Sequence, residues 1–256
     1  MKPKICILRS DGTNCDNELF YAFEKAGGAP EFAHVNELRS KEKNLKNFQV
    51  LALPGGFSYG DDLASGKVLA VELISFFKDD LQCFIEKKGY ILGVCNGFQT
   101  LIRTGLLPYV HLGKMQATLT HNDSGHFECR WIKMKAEKSK ASYFDDLGVM
   151  DVAVNHGEGK FFADEKLLNQ MEKDGLVVFR YVDDKGKSTM HYPENPNGAL
   201  RAIAGITDPT GRILGLMPHP EKFVDSTQHP NWRREKFEKP HGLTFYEKII
   251  TFVKQS

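Results

Sequence analysis

Four short apolar runs, residues 4–8, 31–35, 50–53 and 90–94, alternate with stretches of helical spacing through the first 105 residues. That alternation is the pattern of a doubly wound, mostly parallel α/β sheet, and it leaves few other architectures open. Val50–Leu53 and Tyr90–Val94 are apolar throughout, as strands covered on both faces are. Asp16 is placed to cap a helix over 17–26 that Gly27-Gly28 closes, and 37–47, rich in Lys and Asn, reads as a solvated connection. Residues 68–87 supply one or two further helices. Ligands of such sheets bind beyond the C-terminal ends of the strands. The glycine-rich loop 54–62 and the turn at Cys95 both leave the sheet at that edge.

The pattern changes from residue 111. Strands are expected at 116–120, 127–133, 149–154 and 176–182, and a helix at 164–173. Residues 199–207 and 212–217 should pair around the turn Asp208-Pro-Thr-Gly211. This half therefore reads as an antiparallel or mixed extension of the sheet, giving a flavodoxin-like fold. A polar loop over 224–239 precedes a closing amphipathic helix, 242–254. No repeat, low-complexity tract or linker divides the chain, so a single domain over 1–256 is expected.

Composition narrows the partners. With 34 basic and 33 acidic residues the net charge is +1, so no global field draws nucleic acid or an anionic membrane. The five cysteines form no CxxC pair and no zinc-type spacing, which predicts no metal site and a reducing, cytoplasmic compartment. The apolar stretch before Arg9 is too short for a signal peptide, and no run reaches the roughly 20 apolar residues that span a bilayer. Residues 60–67 superficially resemble a phosphate-binding loop. The spacing of the glycines is wrong, and Val68 stands where a magnesium-binding hydroxyl is required.

The chemistry gathers at Gly93-Val-Cys95-Asn-Gly97, which has the layout of a nucleophile elbow: a reactive side chain on a tight strand-to-helix turn between glycines. The first turn of a helix also favours a thiolate. A thiol nucleophile needs a base, and the base needs an orienting group. Of nine histidines, His219 stands out, because Pro218 and Pro220 impose extended geometry that projects His219 and Glu221 to one side. Oxyanion donors are the N–H of Asn96 and one from Gly55-Gly56, while Gln99, one helical turn past Cys95, faces a bound substrate.

These residues resemble the class I (triad) glutamine amidotransferases. Within that class the chain is similar to the glutaminase subunits of phosphoribosylformylglycinamidine synthases, of de novo purine biosynthesis. The likeness rests on Gly12-Thr-Asn-Cys-Asp16, Pro54-Gly-Gly-Phe-Ser-Tyr-Gly-Asp61, Gly93-Val-Cys-Asn-Gly-Phe-Gln99, Asn155-His-Gly-Glu-Gly-Lys-Phe161 and Met217-Pro-His-Pro-Glu221. The resemblance implies hydrolysis of L-glutamine to glutamate and ammonia through a thioester on Cys95, with His219 as base and Glu221 orienting it. It also implies substrate contacts from Gly55, Gly56, Asn96, Gln99, His156 and Gly157. Ammonia then passes to a separate large synthetase subunit that uses ATP and magnesium, in a complex that often includes a small accessory subunit; this chain itself needs no cofactor. Lys222 stands where the family often has Arg, and the stretch 225–241 is longer than in compact relatives. The rival readings are a stand-alone cysteine hydrolase of γ-glutamyl compounds on the same fold and a non-enzymatic regulatory module.

Overall fold

The apolar runs do become strands, and the computed structural model, which describes residues 1–255, joins most of them in one nine-stranded sheet. In chain order the first half comprises β1 (Lys4–Arg9), α1 (Asp16–Lys25), β2 (Ala29–His34), α2 (Val35–Arg39), β3 (Val50–Leu53), α3 (Lys67–Phe76), α4 (Lys78–Glu86), β4 (Tyr90–Val94) and α5 (Asn96–Thr104). The second half comprises β5 (Thr118–Thr120), β6 (Glu128–Ala136), β7 (Val149–His156), β8 (Lys160–Phe162), α6 (Glu165–Lys173), β9 (Val177–Val182), β10 (Ile203–Thr207), β11 (Ile213–Leu216) and α7 (His241–Gln255).

The sheet order is β2-β1-β3-β4-β11-β10-β9-β6-β7. The first five strands are parallel and the last four add antiparallel neighbours. The expected extension is therefore real, and it enters through β11, which inserts beside β4. β5 and β8 stand apart as a two-stranded antiparallel ribbon. The step from β1 to β2 runs opposite to the step from β3 to β4, so right-handed crossovers send α1 and α3 to opposite faces. α1 then packs with α7, and α3 with α5. Ile5, Ile7, Ala52, Ile91, Leu92 and Leu214 are fully buried between these layers, each large aliphatic side chain contributing about 1.5–3 kcal/mol.

Several local expectations change. Cys15, not Asp16, takes the N-cap of α1; Asp16 is the first helical residue and pairs with Arg9 at 2.7 Å. Val35 opens a helix rather than closing a strand, because His34 Nδ1 accepts from Asn36 N and Glu37 accepts from His34 N, a local cap that hydrophobic periodicity does not reveal. α2 thus occupies part of the stretch read as solvated connection. β8, three residues long, is too short to register as a periodic signal. Around the rejected phosphate loop, Asp61 accepts from Gly66 N, so a carboxylate already occupies the start of α3 where an anion would bind. The long 225–241 stretch folds back on the sheet: His229 and Phe237 pack on Phe223, and His229 also meets Trp131.

Strand register decides what meets at the C-terminal edge. Leu53 of β3 pairs with Gly93 of β4, and Val94 of β4 with Leu216 of β11. The segments following β3, β4 and β11 therefore emerge side by side.

Candidate active site

Cys95 sits between β4 and α5 at φ 51° and ψ −106°. A non-glycine residue there carries strain of about 1–3 kcal/mol and persists only when its surroundings impose it. They do: Cys95 N donates to Leu216 O at 2.8 Å, and Cys95 O accepts from Gln99 N at 3.0 Å. The flanking glycines let helix and strand meet at this angle. A Cβ on Gly93 would lie 2.7 Å from the Gly97 backbone, and one on Gly97 would lie 2.0 Å from Leu53 O.

The thiol is 5% exposed, and burial pushes its pKa above the usual range, with Cys15 and Glu221 adding to the rise and the Asn96 N–H opposing it. The helix terminus was expected to favour thiolate. Desolvation outweighs it, because a helix end contributes at most about 2 kcal/mol whereas full burial moves a pKa by several units. Cys95 rests as a thiol that donates to Asn155 O at 3.6 Å.

The chain leaving β11 brings an imidazole to the same edge. His219 N donates to Ala153 O at 2.8 Å, which ties the Met217–Glu221 segment to β7. His219 Nδ1 and Glu221 Oε1 are 2.5 Å apart, both side chains are buried, and Tyr246 on α7 donates to Glu221 Oε2 at 3.3 Å. A buried carboxylate accepting from Nδ1–H fixes the tautomer with Nε2 as the free acceptor. Among the described residues Nε2 has no hydrogen-bond partner. A Cβ on Gly55 would stand 2.6 Å from His219 Cε1 and 3.4 Å from Cys95 Cβ. Cys95 and His219 thus flank the same glycine.

The loop carrying Gly55 and Gly56 is held against the turn after β1. Cys15 N donates to Gly55 O at 3.1 Å and Phe57 N to Gly12 O at 3.0 Å. Gly56 has φ +140°, and a Cβ there would lie 2.7 Å from Asn14 N. The Asn96 side chain ties this loop to α5: its Oδ1 accepts from Ser58 N at 3.3 Å, and its Nδ2 donates to Asp61 Oδ1 at 3.0 Å and Gln99 Oε1 at 3.1 Å. Gln99 in turn donates to Glu158 O at 2.7 Å, so both ends of its amide hold protein groups. His156 points into the interior, where Asn122 Oδ1 and Asn197 Nδ2 lie 3.2 and 3.4 Å from its ring nitrogens. Burial, with His219 adding, lowers its pKa to about 3, so the ring is neutral. Gly157 O accepts from Asn122 N at 2.9 Å.

Sequence reasoning brought out Cys95, His219 and Glu221, but not Asn155, Tyr246, Asp61 or Cys15. Asn155 and Cys15 lie in stretches that carry the family likeness, whereas Tyr246 is one aromatic among many on a helical face. The sulfur of Cys15, a ring nitrogen of His219 and a carboxylate oxygen of Glu221 lie within 4.8 Å of one another, a cluster that no spacing in the sequence announces.

Comparison with known proteins gives the family. The model of the CobB/CobQ-like glutamine amidotransferase domain matches residues 2–253. The chain is 44% identical to phosphoribosylformylglycinamidine synthase subunit PurQ of Dehalococcoides mccartyi over 256 residues, 99% of each chain. It is 40% identical to the PurQ subunit of Methanococcus maripaludis strain C5, covering 92% of this chain and 89% of that one. Among solved structures, a chain of PurLQS from Thermotoga maritima superposes with a TM-score of 0.73 at 27% identity, over 99% of this chain and all of that one.

Proposed function

Because the chain belongs to the CobB/CobQ-like glutamine amidotransferase family, we propose that Cys95, His219 and Glu221 are the triad with which it works. It is a glutamine amidotransferase, the glutaminase subunit of phosphoribosylformylglycinamidine synthase in purine biosynthesis. Residues 1–256 act as one amidotransferase domain. The observation that carries the triad is the buried His219–Glu221 pair, whose free Nε2 shares Gly55 with the protonated thiol of Cys95.

The chemistry follows from those positions. His219 Nε2 takes the Cys95 proton, and the sulfur attacks the side-chain amide carbon of L-glutamine. Glu221 holds the resulting imidazolium through Nδ1–H, as the orienting acid of a triad does. The tetrahedral oxyanion receives the N–H of Asn96 and one from the Gly55-Gly56 loop, an arrangement worth about 10²–10³ in rate per donor. Collapse of the intermediate breaks the C–N bond, His219 returns the proton to the leaving nitrogen, and ammonia departs. Water, activated by the same imidazole, then cleaves the thioester and releases glutamate. Gln99, Asn96, His156 and Gly157 serve by holding the substrate-facing loops, a reading supported by their bonds to Glu158, Asp61 and Asn122.

Ammonia passes to a large synthetase subunit, which spends ATP with magnesium to turn formylglycinamide ribonucleotide into the amidine; a small third subunit completes the complex. The glutaminase chain itself needs no cofactor. The work is done in the reducing cytoplasm, a reading supported by five cysteines that are all free. Among the described residues no helix is long and apolar enough to cross a membrane.

The test is Cys95→Ala in the reconstituted complex. Glutamine-dependent amidine formation should be lost while ammonia-dependent formation persists. Equal loss of both overturns the triad, and full glutamine-dependent turnover does so too.

A further inference from the structure

Lys222 directly follows Glu221 and has no task in the reaction above. It is half-buried, and among the described residues it forms no ion pair. Its ammonium reaches instead to the end of β7, where Nζ donates to Asn155 Oδ1 at 2.8 Å. The other end of the same amide, Nδ2, donates at 2.9 Å to the sulfur of Cys129, the residue opposite on β6, so Asn155 is held from two directions. Asn155 O is the carbonyl that receives the Cys95 thiol.

That arrangement suits a thiol and not the thiolate it must become. Once the proton leaves, the sulfur anion faces a carbonyl oxygen, with the Glu221 carboxylate nearby. Burial, Cys15 and Glu221 raise the Cys95 pKa, whereas the Asn96 N–H and the charge of Lys222 lower it. The other titratable groups about the sulfur stay neutral near pH 7: burial pushes the Cys15 thiol up to about 12 and raises the Tyr181 phenol on β9. Tyr246 on α7 meets Glu221, and His219, on taking the proton, is matched by Glu221 at Nδ1. Glu18 of α1 and Arg130 of β6, the latter paired with Glu128, are the other charged groups lining the cavity beside Lys222 and Asn155. Lys222 is therefore the cation left to balance the negative charge on sulfur, and a half-buried cation is screened less than one in open water.

We propose that Lys222 is a positioning residue of the glutaminase: through Asn155 it fixes the carbonyl that holds the Cys95 thiol, and through its charge it offsets Glu221 when the proton moves from Sγ to His219 Nε2. The proposal rests on Cys95 and His219 as nucleophile and base.

Two variants separate this role from a structural one. Lys222→Met keeps the stem and removes charge and donor, whereas Lys222→Arg keeps both. In the reconstituted complex, alkylation of Cys95 by iodoacetamide is followed against pH by mass spectrometry of the peptide that carries it, alongside glutamine-dependent turnover, with circular dichroism confirming that each variant is folded. Lys222→Met should move the alkylation midpoint up by about one pH unit and lower kcat/KM for glutamine about tenfold, with ammonia-dependent synthesis unchanged. Lys222→Arg should bring turnover back to within about threefold of wild type and the midpoint to within about 0.5 unit. A fall in turnover with the midpoint unmoved, or no change in either, overturns the proposal and leaves the triad to be decided by Cys95→Ala. A raised midpoint with full turnover would count against Cys95 as nucleophile, while the coupling of Lys222 to its thiol would stand.

Discussion

Gly55→Ala is the sharpest probe of how nucleophile and base are held. Gly55 does not adopt a positive φ, so alanine brings no backbone strain, and the substitution adds one methyl group to the site. That methyl would stand 2.6 Å from His219 Cε1, where carbon atoms normally approach to about 3.5–4.0 Å. Cys95 Cβ, at 3.4 Å from the same point, blocks an easy shift of the methyl the other way. The ring must therefore retreat by about 1 Å, against its bond to Glu221 and away from the thiol. A displacement of that size near the chemistry costs about 10²-fold in rate, equivalent to about 2.7 kcal/mol of transition-state stabilisation. Steady-state glutamine turnover of the reconstituted complex should show this in kcat, with ammonia-dependent synthesis unchanged and a melting temperature close to wild type. Turnover within threefold of wild type in a folded Gly55→Ala protein would refute the reasoning, since it would mean that His219 does not press on Gly55 beside the nucleophile.

Three further outcomes follow from the same structure. Tyr246→Phe removes the 3.3 Å hydrogen bond to Glu221 Oε2, and at about 1 kcal/mol for such a bond kcat should fall roughly fivefold; a change confined to KM would show that Tyr246 does not act through Glu221. His156 has a folded pKa lowered to about 3, so the unfolded chain takes up its proton near pH 6.5 while the folded one does not, and stability is lost as pH falls through that window. Between pH 6.5 and 5 this amounts to about 1.6 kcal/mol, and urea unfolding at the two values should show that slope in wild type and a flatter one in His156→Gln; equal slopes would refute it. Gly97→Ala drives a Cβ to 2.0 Å from Leu53 O, a backbone atom that cannot turn aside. Its soluble yield and melting temperature should collapse, and a stable Gly97→Ala protein would show that the elbow does not need this close contact.

The parallel half of the fold was legible because β1, β3 and β4 are buried on both faces and the crossovers into β2 and β4 end on glycine, so pattern and architecture coincide. β4 illustrates this, with all five residues buried and its predicted bounds unchanged. α2 and β8 were not legible for a different reason. α2 is five residues long and held by a local cap on His34, and β8 is three residues long and exists only through pairing with β5. Neither has enough residues to show a period. The helix start at Cys15 was misplaced by one position because Asp16 is a good capping residue by type, but its carboxylate is engaged by Arg9 from β1, a tertiary pairing that overrides local preference.

The site divides along the same line. What the sequence could state was chemistry confined to a few adjacent residues: a thiol between two glycines, an imidazole two residues from a carboxylate. What it could not state was anything produced by strands lying next to one another. β3, β4 and β11 are far apart in the chain, yet their register sets Gly55, Cys95 and His219 at one edge, and the turn after β1 reaches the same edge through the bond from Cys15 to Gly55. The protonation of Cys95 shows why this matters. Judged locally, a thiol at a helix start should ionise readily; judged in place, it is enclosed by β11, the Asn155 carbonyl and the Gly55 loop, and burial reverses the preference. On the proposed triad, Cys95 depends on His219 for its activation, and on the sheet for setting His219 beside the same glycine.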